Sequence, residues 1–189
     1  MFKDLVMKNR TYRGYDENYR IDRATLLELI DLTRYTAASA NLQPLKYFAA
    51  ADKETVDKIQ SLTKWAGALP QLNLPYPGTR PTAFIVICQD NSISASDGML
   101  KDVGIVAQTI TLGAVEKGLG CCMIGSFNLP KLKEALSLPE HIDPKLVVAI
   151  GKPTETIVLT EAIDGKTTYY RDENGVHYVP KRPLEEIVL

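Results

Sequence analysis

Between Asp102 and Glu116 the chain runs for thirteen residues without a charge. Val103, Val106, Ala107, Ile110 and Ala114 recur at helical spacing, and Ile105, Leu112 and Val115 place apolar groups on the remaining faces. A helix that is apolar all round belongs in an interior, so this stretch predicts a central core helix around which the rest must pack. Gly104 and Gly113 cost helix propensity and predict close approach of a neighbour. Asp102 suits the positive end of the helix dipole and Lys117 the negative end. Gly118 is a helix stop. Cys121 to Ile124 then reads as a short buried strand ended by Gly125, which suggests a site at that strand's end.

The chain has 189 residues, enough for one domain with a sizeable core. Its net charge of −1 favours neither nucleic acid nor an anionic membrane as partner. No apolar run approaches the roughly 18 residues of a membrane span. Charges interrupt the first ten residues where a signal peptide would be apolar, so a cytoplasmic location is expected. Three cysteines, Cys88, Cys121 and Cys122, are odd in number and sit in apolar runs, unlike a disulfide framework.

Taken in order, Phe2, Leu5 and Val6 mark one face of a first helix. The segment Arg10-Thr11-Tyr12-Arg13 follows. Two arginines around a hydroxyl suit a phosphate or, as for most charged clusters, a solvated turn. Asp22 caps a second helix with Leu26, Leu29, Ile30 and Thr33 inward. Small residues and two amides then form Ala38-Ser39-Ala40-Asn41-Leu42-Gln43-Pro44. Asn41 and Gln43 each offer a donor and an acceptor to an amide-rich ring, or else cap an ordinary loop. Lys46 to Ala51 reads as a strand. Asp52 caps a third helix with Val56, Ile59 and Leu62 inward. The proline-rich stretch 68–81 is long for a connection and reads as a lid or a plain surface excursion.

Thr82 to Cys88 is a continuous β-branched run, a strand covered on both faces. Asn128 caps a short helix with Pro130 in its first turn, and Leu146 to Ile150 is another buried strand. Beyond Lys152 the strands are brief: Ile157 to Leu159, Thr167 to Tyr170 and Val176 to Val179. Residues 152–189 therefore read as an arm that lies on something else, such as a second subunit. Lys181-Arg182 is a second cationic pair, suited to an anion or to a solvated tail.

Other chemistries lack their anchors. His141 and His177 have no metal-ligand spacing and read as surface or capping residues. There is no Gly-x-Ser-x-Gly elbow and no phosphate loop ending in Gly-Lys-Ser/Thr. Gly113, Gly118 and Gly120 stand after a helix and before a strand, the reverse of the dinucleotide-binding order. Cys121-Cys122 lacks the spacer of a thioredoxin-like site.

Four segments in this order resemble the nitroreductase family of FMN-dependent oxidoreductases. Arg10-Thr11-Tyr12-Arg13 resembles its N-terminal Arg-Ser-x-Arg. Ala38 to Pro44 resembles its Pro-Ser-x-x-Asn-x-Gln-Pro loop. Gly118-Leu119-Gly120 with Met123-Ile124-Gly125 resembles its Gly-Leu-Gly segment, and Lys181 to Glu186 its basic ending. The resemblance implies an α+β fold with a mixed central sheet between helices, in an intertwined homodimer with FMN at the interface. It implies that Arg10, Thr11 and Arg13 hold the phosphate and ribityl chain, with Lys181 and Arg182 completing the anion site. Ser39, Asn41 and Gln43 would reach the flavin from the other subunit or read its pyrimidine edge, with Ala38 beside them. Met123, Ile124 and Gly125 would lie by the ring. NADH or NADPH would supply hydride, and a small acceptor such as a nitro compound or quinone would take the electrons; a flavin store or sensor is the alternative. Thr11, the alanines before Ser39, Leu45 and Met123 depart from the family pattern, so acceptor preference does not carry over.

Overall fold

A computed structural model describes residues 1–67, 69 and 71–189. Within the stretch 68–81, Ala68 and Pro70 lie outside the described residues. Four strands, β1 (Leu45–Ala50), β2 (Ala83–Asp90), β3 (Gly120–Ile124) and β4 (Ile142–Gly151), form a sheet in the order β1-β2-β4-β3. All three pairings are antiparallel. Parallel pairing enters where Thr11 bridges to Cys121 beside β3.

All eight residues of β2 are buried. Their alternation sorts them onto two faces. Ala83, Ile85 and Ile87 join Val148, Ile150 and Cys121 beneath α2 (Arg23–Asp31) and α4 (Leu100–Glu116). Phe84, Val86 and Cys88 join Val147, Ala149, Cys122 and Ile124 beneath α3 (Lys53–Leu62) and α5 (Leu129–Ala135). Each large side chain so buried contributes about 1.5–3 kcal/mol. A continuous apolar run in β2 is thus the signature of a sheet covered on both sides. β4 extends beyond the expected Leu146 to Ile150, because a register shift at Ile87/Cys88 admits Pro144, which has no N–H for the ladder.

The expected caps form. The carboxylates of Asp22 and Asp52 accept from the amides of Thr25 (2.8 Å) and Thr55 (2.9 Å), and Asn128 Oδ1 accepts from Lys131 N (3.2 Å). Each contributes about 1 kcal/mol.

The central helix departs from expectation in two ways. It begins at Leu100, two residues early, after a 3-10 turn at Asp97–Met99. It is also not covered all round within the chain. Val103, Val106, Ala107, Ile110 and Ala114 are buried, but Leu100 is 52% and Ile105 40% exposed. Gly113 meets its expectation: a Cβ there would lie 2.5 Å from Leu32 Cδ1. Gly104 does not, since nothing lies within 4 Å of a Cβ placed on it. Gly118, at φ +70°, ends the helix, and Lys117 pairs with Glu28 of α2 (2.5 Å). The first helix, α1 (Phe2–Lys8), buries no residue, and Phe2 is 72% exposed rather than turned to the core.

The C-terminal segment forms its own three-stranded sheet, with β5 (Ile157–Glu161), β6 (Tyr170–Arg171) and β7 (His177–Lys181) in the order β5-β7-β6. β5 and β7 are parallel, β6 and β7 antiparallel. The strand expected at Thr167 to Tyr170 is reduced to Tyr170 and Arg171. This sheet rests against its own chain around Arg13: Thr154 N donates to Gly14 O (3.1 Å), and Tyr15 bridges to Pro153.

Candidate functional site

Three of the four motifs converge. Tyr12 N donates to Cys121 O (2.9 Å), laying the Arg10–Arg13 segment along β3. The contact needs glycine at position 120, where a Cβ would lie 2.5 Å from the Tyr12 ring. Across from this segment, β7 presents every second residue. His177, Val179 and Lys181 share one face, as strand alternation dictates. Together with Arg10, Thr11, Arg13 and Tyr169 they line a cleft of about 330 Å³.

The cleft is cationic. Arg10 donates through Nη2 to Val6 O (2.8 Å), and burial holds its guanidinium below its usual pKa, with Tyr12 opposing. The Arg13 guanidinium lies 5.0 Å from the centre of the Tyr169 ring, and its Nη1 is 3.5 Å from His177 Nε2. The Nε atoms of both arginines are buried with no hydrogen-bond partner. Buried, unpartnered cationic donors are costly unless an anion completes them. An anion of the phosphate type therefore fits these residues.

Two residues central to this site were not assigned to it from the sequence. Glu155 accepts from Arg13 N (2.6 Å) and from the guanidinium of Arg171, in an ion pair with 11% and 8% side-chain exposure. No motif surrounds it. His177 is 2% exposed, not a surface or capping residue as expected. Burial, then Arg13 and Arg171, lower its pKa to about 4. In the unfolded chain the value is near 6.5. Between these values the unfolded chain binds a proton that the folded chain refuses, so stability falls as pH drops from about 6.5 to about 4 and is insensitive to this group above 6.5. Urea denaturation across that window should show a steeper acid loss for the wild type than for His177→Gln; identical slopes would rule the imidazole out.

The remaining predicted residues lie elsewhere. Arg182 is not in the cleft: its guanidinium binds Glu186 (2.8 Å) and reaches the carbonyl of Gly165 (3.4 Å). Ala38, Asn41 and Gln43 line a separate cleft of about 300 Å³ beside Lys46, Asp102 and Val106. Ser39 does not line that cleft; its hydroxyl and amide are bound to Asp102. Met123 (38% exposed), buried Ile124 and open Gly125 lie at the end of β3 and line neither cleft. Asn9, next to Arg10, binds Thr111 (2.8 Å), whereas Asp102 and Val106, nine and five residues earlier on α4, line the other cleft, so the two clefts lie at different levels of that helix.

The cysteines are buried, and burial raises Cys88 and Cys122 to about 12 and Cys121 higher still, so thiolate chemistry has no support at neutral pH. Among the described residues no cluster of His, Cys, Asp or Glu could hold a metal, and no helix is long and apolar enough to cross a membrane.

A two-sided helix–sheet–helix core with a basic cleft beside the edge strand defines the class: an α+β protein of helices packed on both faces of an antiparallel sheet. The nitroreductase family model matches residues 6–152, so the chain belongs to the nitroreductase family. An NADPH-dependent oxidoreductase of Staphylococcus aureus (strain MRSA252) is 30% identical over 204 residues, covering 97% of this chain and 70% of that protein. The FMN reductase (NADPH) of Bacillus subtilis is 29% identical over 80 residues, 41% of this chain and 32% of that protein. Among solved structures, a nitroreductase family protein of Clostridium difficile 630 superposes with TM-score 0.69 at 21% identity, covering 100% of this chain and 97% of the other.

Proposed function

We propose that this protein is an FMN-dependent oxidoreductase that takes hydride from NADH or NADPH and passes electrons to a small acceptor such as a nitro compound or a quinone. The observation that carries the reading is the cleft in which Arg10 and Arg13 keep buried, unpartnered donors beside Lys181. Bound FMN would supply the two-electron chemistry, the part of the reaction no side chain can perform. Arg10, Arg13 and Lys181 would hold its phosphate by charge-assisted hydrogen bonds, and Thr11 the adjoining chain. The end of β3 at Ile124 and Gly125 would flank the ring and offer a backbone N–H to it. Asn41 and Gln43 would pair with its pyrimidine edge.

Within one chain the phosphate cleft and the amide-loop cleft are separate, with no lining residue in common. A homodimer in which a second copy lends its 38–43 loop resolves that separation. It also covers the exposed stripe of Leu100, Gly104 and Ile105 and the face of α1. The arm of residues 152–189 contributes Lys181 and His177 to the cleft and would extend onto the partner.

An absorbance scan of purified protein from about 300 to 550 nm, repeated anaerobically with NADH and then NADPH, tests this reading. Flavin bands that bleach are expected, and the faster donor is the physiological one. Bands that persist would make the protein a flavin store or sensor. No bands after incubation with FMN would remove the reading.

A further inference from the structure

Asp102 is a carboxylate that is 2% exposed, in the first turn of α4. No ion pair among the described residues involves it. A buried, unpaired carboxylate is expensive. Its compensation comes from the positive end of a 17-residue helix and from one residue, Ser39. The Ser39 amide donates to both carboxylate oxygens (3.1 and 2.9 Å), and its hydroxyl donates to Oδ1 (2.6 Å). All three bonds span 63 positions of sequence, so the helix start and the loop are locked as one unit.

What Ser39 anchors is strained. Ala40 (φ 49°), Asn41 (φ 54°) and Gln43 (φ 51°) all occupy the left-handed region, which non-glycine residues avoid. A run of this kind persists only where the surroundings impose it. Its outcome is specific. Gln43 Nε2 donates to Asn41 Oδ1 (2.9 Å), and the two amides line the same cleft as Asp102. The Asn41 amide nitrogen and the Gln43 amide oxygen remain for a ligand, a donor beside an acceptor.

We propose that Asp102 is a positioning residue: by clamping Ser39 it imposes the left-handed conformations of Ala40, Asn41 and Gln43 and so presets the amides of Asn41 and Gln43 for the ligand of this cleft. The identity of that ligand, the pyrimidine edge of the flavin, rests on the reading given above. Asp102 touches no reacting atom; it acts through Ser39.

The test is a double-mutant cycle on the full-length protein, titrated with FMN and with riboflavin. Asp102→Ala should weaken both ligands equally, by roughly ten- to a hundredfold, because the ring edge is common to both. Asp102→Asn, which keeps one acceptor oxygen, should lose less. In an Asn41→Ala/Gln43→Ala background, Asp102→Ala should cost less than about twofold more. Full additivity, or unchanged affinity with only a lowered melting temperature, would overturn the proposal and leave Asp102 a plain helix residue. If Asp102→Ala does not fold, Ser39→Ala replaces it in the same cycle, with the same pattern at smaller magnitude because the Ser39 amide still donates to Asp102. Should the wild type bind no flavin, the flavin reading falls alone. Amide hydrogen exchange in the flavin-free protein then decides: faster exchange confined to residues 40–43 in the Asp102 variant upholds the clamp, and unchanged exchange sinks it.

Discussion

Replacing Arg10 and Lys181 together by alanine is expected to weaken FMN binding by at least about a hundredfold and to leave riboflavin binding unchanged. Each charge-assisted hydrogen bond to a phosphate contributes about 1.5–3 kcal/mol, and about 1.4 kcal/mol is tenfold in affinity. Arg10 is well placed for such an effect. Its guanidinium is partly dehydrated and its Nε has no partner in the protein, so an anion gains a donor that water no longer competes for. Arg182→Ala is the internal control. That guanidinium is engaged by Glu186 and Gly165, and its loss should change FMN affinity by less than about threefold. Fluorescence titration with the two flavins separates the outcomes. A parallel loss of riboflavin binding would mean that these cations support the fold rather than the phosphate.

The second large effect is one of stability. Glu155→Ala should destabilise the protein by about 3–5 kcal/mol, because it leaves Arg171 charged and unpaired in a buried position. For a chain of this size that corresponds to a fall in melting temperature of about 6–20 °C. The same change frees the amide of Arg13, which Glu155 accepts at 2.6 Å. Glu155 also closes over Gly14, where a Cβ would meet its side chain at 2.9 Å. The carboxylate therefore ties β6, the arginine segment and the start of the C-terminal arm at one point. Calorimetry on Glu155→Ala, Arg171→Ala and the double variant measures the coupling. A double variant no more stable than the sum of the two single losses predicts would remove the buried-pair explanation.

The layered core was legible in the sequence because its causes are local. Asp22, Asp52 and Asn128 announce their helices by side-chain chemistry that acts within three residues. The run from Thr82 to Cys88 announces a strand covered on both faces, and both faces of Ala83–Asp90 are covered. Gly113 and Gly118 were readable too, one as a close approach, which Leu32 makes, and one as a helix stop, which is left-handed. The central helix was read only in part. Its apolar stripe at Leu100 and Ile105 is exposed in one chain, and composition cannot say whether an apolar face is covered by the same chain or by another.

The motifs themselves were visible as residue types, but their grouping was not. Lys181 and Arg182 are equivalent in sequence, two cations side by side. In an extended chain neighbouring side chains point to opposite faces, so only one of them joins His177 and Val179 in the cleft. Which one depends on the register of β7 against β5 and β6, which is set by contacts far along the chain. The burial of His177 and the pairing of Glu155 with Arg171 depend on the same packing. The sequence alone determined the elements, their caps and the chemistry each motif could perform, because those follow from neighbours a few residues apart. The tertiary structure alone decided that Arg10, Arg13 and Lys181 share one cleft while Asn41 and Gln43 line another, because only long-range packing brings residues 10 and 181, or 39 and 102, into contact or holds them apart.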